Sequence, residues 1–146
     1  MRSWRTILIS VLIPLALGSV RADESDSEVE ARKMALDLAG AFANDGFKLR
    51  DGHWSGPIKQ GENAIVAVNL YAGNQYWFSV GASEGAKNVT LHIYDETGKP
   101  VPTDDYDETD QAAAGFSPTV SGQYFVGINP AAETAAKSFC LVYSYK

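Results

Sequence analysis

Two short phrases of this chain echo each other. Ala72-Gly73-Asn74-Gln75-Tyr76-Trp77-Phe78-Ser79-Val80 returns 49 positions later as Ser121-Gly122-Gln123-Tyr124-Phe125-Val126-Gly127-Ile128. Each is a glycine turn followed by a tyrosine that opens a period-two apolar row, Tyr76, Phe78, Val80 and Tyr124, Val126, Ile128. Such alternation belongs to a strand with one face in a core. Further rows have the same parity: Val66, Val68, Leu70, then Val89, Leu91, Ile93, then Ala112, Ala114, Phe116, and finally Phe139, Leu141, Tyr143, Tyr145. Asp95-Glu96-Thr97-Gly98 reads as a hairpin turn, and Pro100 and Pro102 confine Val101 to an edge strand or a loop. The Gly- and Pro-rich text from Phe47 to Gly61 has room for one short strand. Seven or eight short strands with no helical pattern between them predict a mainly β protein, an antiparallel β-sandwich of jelly-roll type over residues 46–146.

One amphipathic helix is expected in front of the sandwich, within residues 23–45. Ser25 and Glu28, like Ser27 and Glu30, have capping-box spacing, and Asn44-Asp45-Gly46 supplies a stop. The apolar stripe reads Ala31, Met34, Ala35, Leu38, Ala41, Phe42, too narrow to be stable without a surface to lie on.

Residues 1–22 carry the pattern of a secretory signal. Arg2 and Arg5 precede an apolar run from Ile7 to Leu17, and short side chains lead to a cleavage point after Ala22. That run falls well short of the roughly 20 residues that span a bilayer, so no stable membrane insertion is expected after cleavage. The protein is therefore expected in the periplasm or the medium. Loss of Arg2, Arg5 and Arg21 with the signal would leave nine basic residues against 18 acidic ones, a formal charge of −9. Such a surface repels nucleic acid. Cys140 is the only cysteine, so stability rests on packing instead of an intrachain disulfide.

The segment from about Gly61 to Tyr145 resembles the bacterial pre-peptidase C-terminal domain family. The resemblance is carried by the Ala72-Gly73 turn with Tyr76 and Phe78, Leu91-x-Ile93-x-Asp95 with Gly98, and Phe116 before Ser117-Pro118. Ser121-Gly122-x-Tyr124-x-Val126 and the last strand around Leu141 complete it. It implies a non-catalytic β-sandwich that binds or positions something outside the cytoplasm.

Three constellations invite a chemical reading. Strand parity sets Tyr71, Trp77, Tyr94 and Phe125 opposite the inward rows, where aromatic rings form either a platform for a polysaccharide or envelope protein, or the seat of the helix. The helix stripe makes the seat the expected fate. Asp95, Asp104, Asp105, Asp107 and Asp110 offer hard oxygen ligands, which makes Ca²⁺ the one cofactor the chain admits, although a solvated acidic loop is the expected reading. Gly81-Ala82-Ser83-Glu84-Gly85 matches a nucleophile elbow, but that device needs a helix after the serine, and a strand follows here. His53 and His92 are too few and too isolated for a zinc site. The expected function is an exported non-catalytic binding or accessory protein. The alternatives are a small secreted hydrolase or a calcium-stabilised carbohydrate-binding module.

Overall fold

A computed structural model describes residues 25–146. The expected signal sequence lies outside the described residues. The chain forms one helix, α1 (Asp26–Ala43), and nine strands: β1 (Lys48–Leu49), β2 (Trp54–Pro57), β3 (Ala64–Leu70), β4 (Tyr76–Ala82), β5 (Thr90–Tyr94), β6 (Asp104–Asp107), β7 (Gln111–Phe116), β8 (Gly122–Asn129) and β9 (Ser138–Tyr145). They build two antiparallel sheets. The larger has the order β1-β9-β4-β7-β6, with β2 also paired to β9, and the smaller has the order β3-β8-β5. This is the expected β-sandwich fronted by a helix.

The strands beyond those expected take their places from the partners they border. Both β1 and β2 lie along β9, β1 beside Ser144 and Tyr145 and β2 beside Ser138 to Leu141, because β9 is long enough to hold two short partners. The acidic run forms β6, an exposed edge strand, where a loop was expected. Its partner β7 has small side chains, Ala112 to Gly115, and its free backbone groups are satisfied at little steric cost. Cross-strand pairing puts Asp105 and Asp107 on the core-facing side of the edge, beside Ala114 and Ala112. Charges turned inward at a sheet border discourage a further strand from adding there.

The echoing phrases are two tyrosine corners. Tyr124 donates its hydroxyl to the carbonyl of Val120 at 2.7 Å, and the Tyr76 hydroxyl accepts the N–H of Tyr71 at 2.9 Å and an Nδ2–H of Asn74 at 3.1 Å. Each ring is buried while its hydroxyl ties down the turn that launched the strand. The turns also join each other, since Ser121 Oγ accepts the Ala72 N–H at 2.8 Å. This bond continues the β3–β8 pairing one step past Leu70 and Gly122, at the point where the chain leaves the small sheet for β4. Between them lie Leu70, Phe78, Val80, Val89, Ile93, Val126, Ile128 and Leu141, all essentially without solvent contact.

Outside the large sheet lies α1. Ser25 caps it by accepting the Glu28 N–H at 3.3 Å, as the capping spacing predicts, and Ser27 Oγ reaches Ser138 Oγ at the start of β9 at 2.9 Å. The buried line is Ala31, Ala35, Ala39, packed with Cys140 and Val142 of β9. Ala41 of the expected stripe is exposed, and Met34, Leu38 and Phe42 are half-buried flanks. The contact line is narrower than expected because the surface beneath is made of small residues, so the helix backbone sinks between its own larger side chains. Gly81 marks the closest approach: a Cβ there would stand 2.5 Å from the Ala31 carbonyl oxygen and 2.5 Å from the Ala35 nitrogen. Gly81→Ala should therefore push the helix off its seat and cost about 1–3 kcal/mol or more, as overpacking does. A lowered urea midpoint with little change in slope is the expected signature.

Candidate functional site

The four aromatic residues singled out from parity do not form one platform. Trp77 sits beneath the helix, stacked on Phe42 with ring centroids 4.3 Å apart and planes 11° from parallel. Its other neighbour is Gly115 on β7, where an added Cβ would stand 2.9 Å from the indole. Tyr94 and Phe125 lie on the opposite side of the molecule, paired across β5 and β8 on the outer face of the small sheet. The Tyr94 ring lies over Gly127, with 3.0 Å to the position a Cβ would take. Tyr71 is exposed just past the end of β3, where its N–H belongs to the Tyr76 corner. Trp77 thus takes the expected seat beneath the helix, while Tyr94 and Phe125 share the outer face of the small sheet.

The carboxylates are dispersed as well. Among the described residues no three His, Cys, Asp or Glu side chains gather as a metal-holding group. Asp95 builds its hairpin turn: Oδ1 accepts the Thr97 hydroxyl at 2.6 Å and the N–H groups of Thr97 at 2.9 Å and Lys99 at 3.0 Å. These bonds, the Thr97 hydroxyl foremost, hold its carboxyl below the usual range. Asp104 and Asp105 alternate between the faces of β6, and Thr103 donates to Asp105 at 2.6 Å. Desolvation, with the neighbouring Asp105 charge, raises the carboxyl of Asp107, and His92 opposes this. Asp110 follows at the turn into β7.

Ser83 is a structural residue in this geometry. It is 2 % exposed, and its Oγ accepts the N–H groups of Lys137 at 2.9 Å and Ser138 at 3.1 Å, pinning the segment that enters β9. The histidine bond in this region joins His92 Nε2 to Thr90 Oγ1 at 3.4 Å, away from Ser83. Gly81 seats the helix and Gly85 takes a positive φ of 92°, so each defined position of the Gly-x-Ser-x-Gly pattern has a role in the fold.

A concave feature lies elsewhere, in a groove of about 710 Å³. The turn after β5, the approach to β6 and the connection from β7 to β8 form its walls. Phe116 and Tyr124 meet edge to face along it, with centroids 5.2 Å apart. Asp95, Glu96 and Asp104 contribute carboxylates, and Thr97, Ser117 and Thr119 contribute hydroxyls. Carboxylates and hydroxyls accept hydrogen bonds from hydroxyl- or amine-bearing ligands, and ring edges offer apolar contact. Each wall was visible in the sequence as a turn; that three turns converge depended on how the sheets stack. A second cluster also escaped sequence reading. The Arg50 guanidinium lies over both Trp54 and Tyr143, 5.4 and 5.2 Å from the ring centroids, and the two rings stack 5.7 Å apart. Burial raises the Tyr143 hydroxyl, with Arg50 acting in the opposite sense.

Compared with known proteins, the chain matches no protein-family model and no curated protein sequence. Among the described residues no helix is long and apolar enough to cross a membrane.

Two outcomes follow from these placements. Trp77→Ala should unseat the helix terminus and lower stability by about 2–4 kcal/mol in chemical denaturation, at the scale of large-to-small core changes. For Asp107, the raised native carboxyl means that the folded state holds its proton more tightly than the unfolded chain does. Its favourable contribution is present below the usual carboxylate range and is lost as pH rises through the native value. Asp107→Asn should therefore raise the melting temperature relative to wild type at about pH 7, and the gain should vanish near pH 3.

Proposed function

We propose that this protein is an exported, non-catalytic β-sandwich that binds a polysaccharide of the envelope or its surroundings in the groove between the β5–β6 and β7–β8 connections. The groove carries this reading: it combines hydrogen-bond acceptors with apolar ring edges, a composition suited to sugar rings. Export is supported by the amino-terminal pattern, Arg2 and Arg5 before the Ile7–Leu17 run. The residues that carry the resemblance to pre-peptidase C-terminal domains serve the sandwich itself, with Tyr76, Phe78, Tyr124 and Val126 in the core and Gly73 and Gly98 at positive φ in turns. A binding role is favoured over hydrolysis because Ser83 is buried and committed to two backbone N–H groups. Calcium has no part in this reading, since the carboxylates are spread over turns and both faces of an edge strand.

Glu96 and Asp104 are exposed, so replacing both with alanine leaves the core intact. Calorimetry against neutral glucan and amino-sugar polymers should show binding by the wild type and a loss of about tenfold or more in the Glu96→Ala/Asp104→Ala variant, in line with charged hydrogen bonds. Equal affinity of the two proteins, or no affinity for any polymer of either class, rules out the groove as a polysaccharide site.

A further inference from the structure

A sandwich of two open sheets has four borders, and three of them are blocked. The β6 border carries Asp104, Asp105 and Asp107. At the other end of the large sheet, β1 has two residues and β2 closes on Gly56-Pro57, so no long run of free backbone groups exists there. In the small sheet, the chain's own Lys99 to Val101 segment covers one half of β5: Tyr94 bridges Pro100, the Val101 N–H reaches the Ile93 carbonyl at 2.9 Å, and the Asp95 N–H reaches the Lys99 carbonyl at 2.9 Å. Just before β5, the Val89 N–H is held by the Thr109 carbonyl at 3.3 Å.

The fourth border is β3, and it has none of these devices. Ala64-Ile65-Val66-Ala67-Val68-Asn69-Leu70 is seven residues long, with no proline and no charge, and among the described residues it pairs on one side only, in unbroken register with β8. An antiparallel strand directs only half of its backbone groups to one neighbour, so the other half point outward along this edge. Ile65 is 66 % exposed beside it. A long, uncharged edge is a template for a further strand.

We propose that β3 pairs antiparallel with β3 of a second copy of this chain, joining the two small sheets into a continuous six-stranded sheet across a two-fold axis. Charge selects this occupant. The chain carries a formal net charge of −6, so two copies repel over most of their surfaces. From Asn63 to Ser83 there is no charged residue, and β3 lies within that neutral stretch. It is the border where two acidic copies meet with least repulsion. A two-fold through Ala67 sets Ala67 against its own copy and Ile65 against Asn69, with no like charges opposed. Val66 and Val68 then extend the apolar row from one core to the next. Pairing identical edges in this way closes after two copies.

Sedimentation velocity from about 1 to 100 μM should show a dimer forming by mass action. Ala67→Lys, at an exposed position, should weaken the dimer at least tenfold while the circular dichroism spectrum stays that of the wild type. In addition, Ile65→Cys, Ala67→Cys and Asn69→Cys place a thiol at successive outward positions, and the one on the axis should give a disulfide-linked dimer in air. Directly opposed residues lie within the separation a disulfide needs, and Cys140 is fully buried and stays silent. A monomer throughout the concentration range overturns the proposal. A dimer undiminished by Ala67→Lys, or no crosslink from any of the three cysteine variants, overturns it equally.

Discussion

Everything outside the sandwich core depends on how closely α1 approaches the large sheet. At Gly81 the strand comes so near the backbone between Ala31 and Ala35 that no side-chain carbon fits. That approach requires small residues on both partners: Ala31, Ala35 and Ala39 on the helix, and Ser79, Ala113, Cys140 and Val142 on the sheet. The side chains that flank the contact then set its limits. Phe42 reaches down to stack on Trp77, and Trp77 in turn covers Gly115. Ser79 shows what close fit costs, because its hydroxyl is buried without a hydrogen-bond partner in the structure, a loss of order 1–3 kcal/mol.

The same pairing of ring and glycine recurs through the sandwich. Trp77 lies on Gly115, Tyr94 on Gly127, and Phe139 on Gly56, each ring filling the space where the glycine lacks a side chain. In a strand, glycine leaves a gap on the sheet surface, and an aromatic neighbour restores the lost contact. Aromatic excess in this chain is therefore largely structural. The tyrosine corners belong to the same economy of parts, since one ring fills the core while its hydroxyl holds a turn.

The open surfaces are what this packing leaves over. With the outer face of the large sheet occupied by the helix, the groove at the turns and the β3 border stay uncovered among the described residues. The groove draws on Asp95 and Asp104, which the sequence marks as candidate metal ligands, whereas the β3 border carries no charged residue. Ser83 and Asp95 match familiar catalytic or metal-binding residue types, yet both use their oxygens to hold the backbone.

Much of the architecture is legible in the chain itself. Period-two rows separated by glycine turns predict the strands and their inward faces, and the Ser25 cap and the stop near Gly46 predict the helix, because these are local rules of backbone geometry. The acidic run forms an edge strand where its charge suggests a loop, because a tight hairpin that sets Asp107 opposite Ala112 gives it the backbone bonds of β7, which composition does not show. Ala39 was missed from the helix contact and Ala41 included, because the width of that contact depends on small residues about 40 to 100 positions away. For the same reason, parity correctly separated Tyr71, Trp77, Tyr94 and Phe125 from the core without deciding which of the two outer faces each would share. Local sequence determined strand, turn and face; tertiary structure alone decided which faces and turns meet, because sheet order and stacking are set by contacts between residues far apart in the chain.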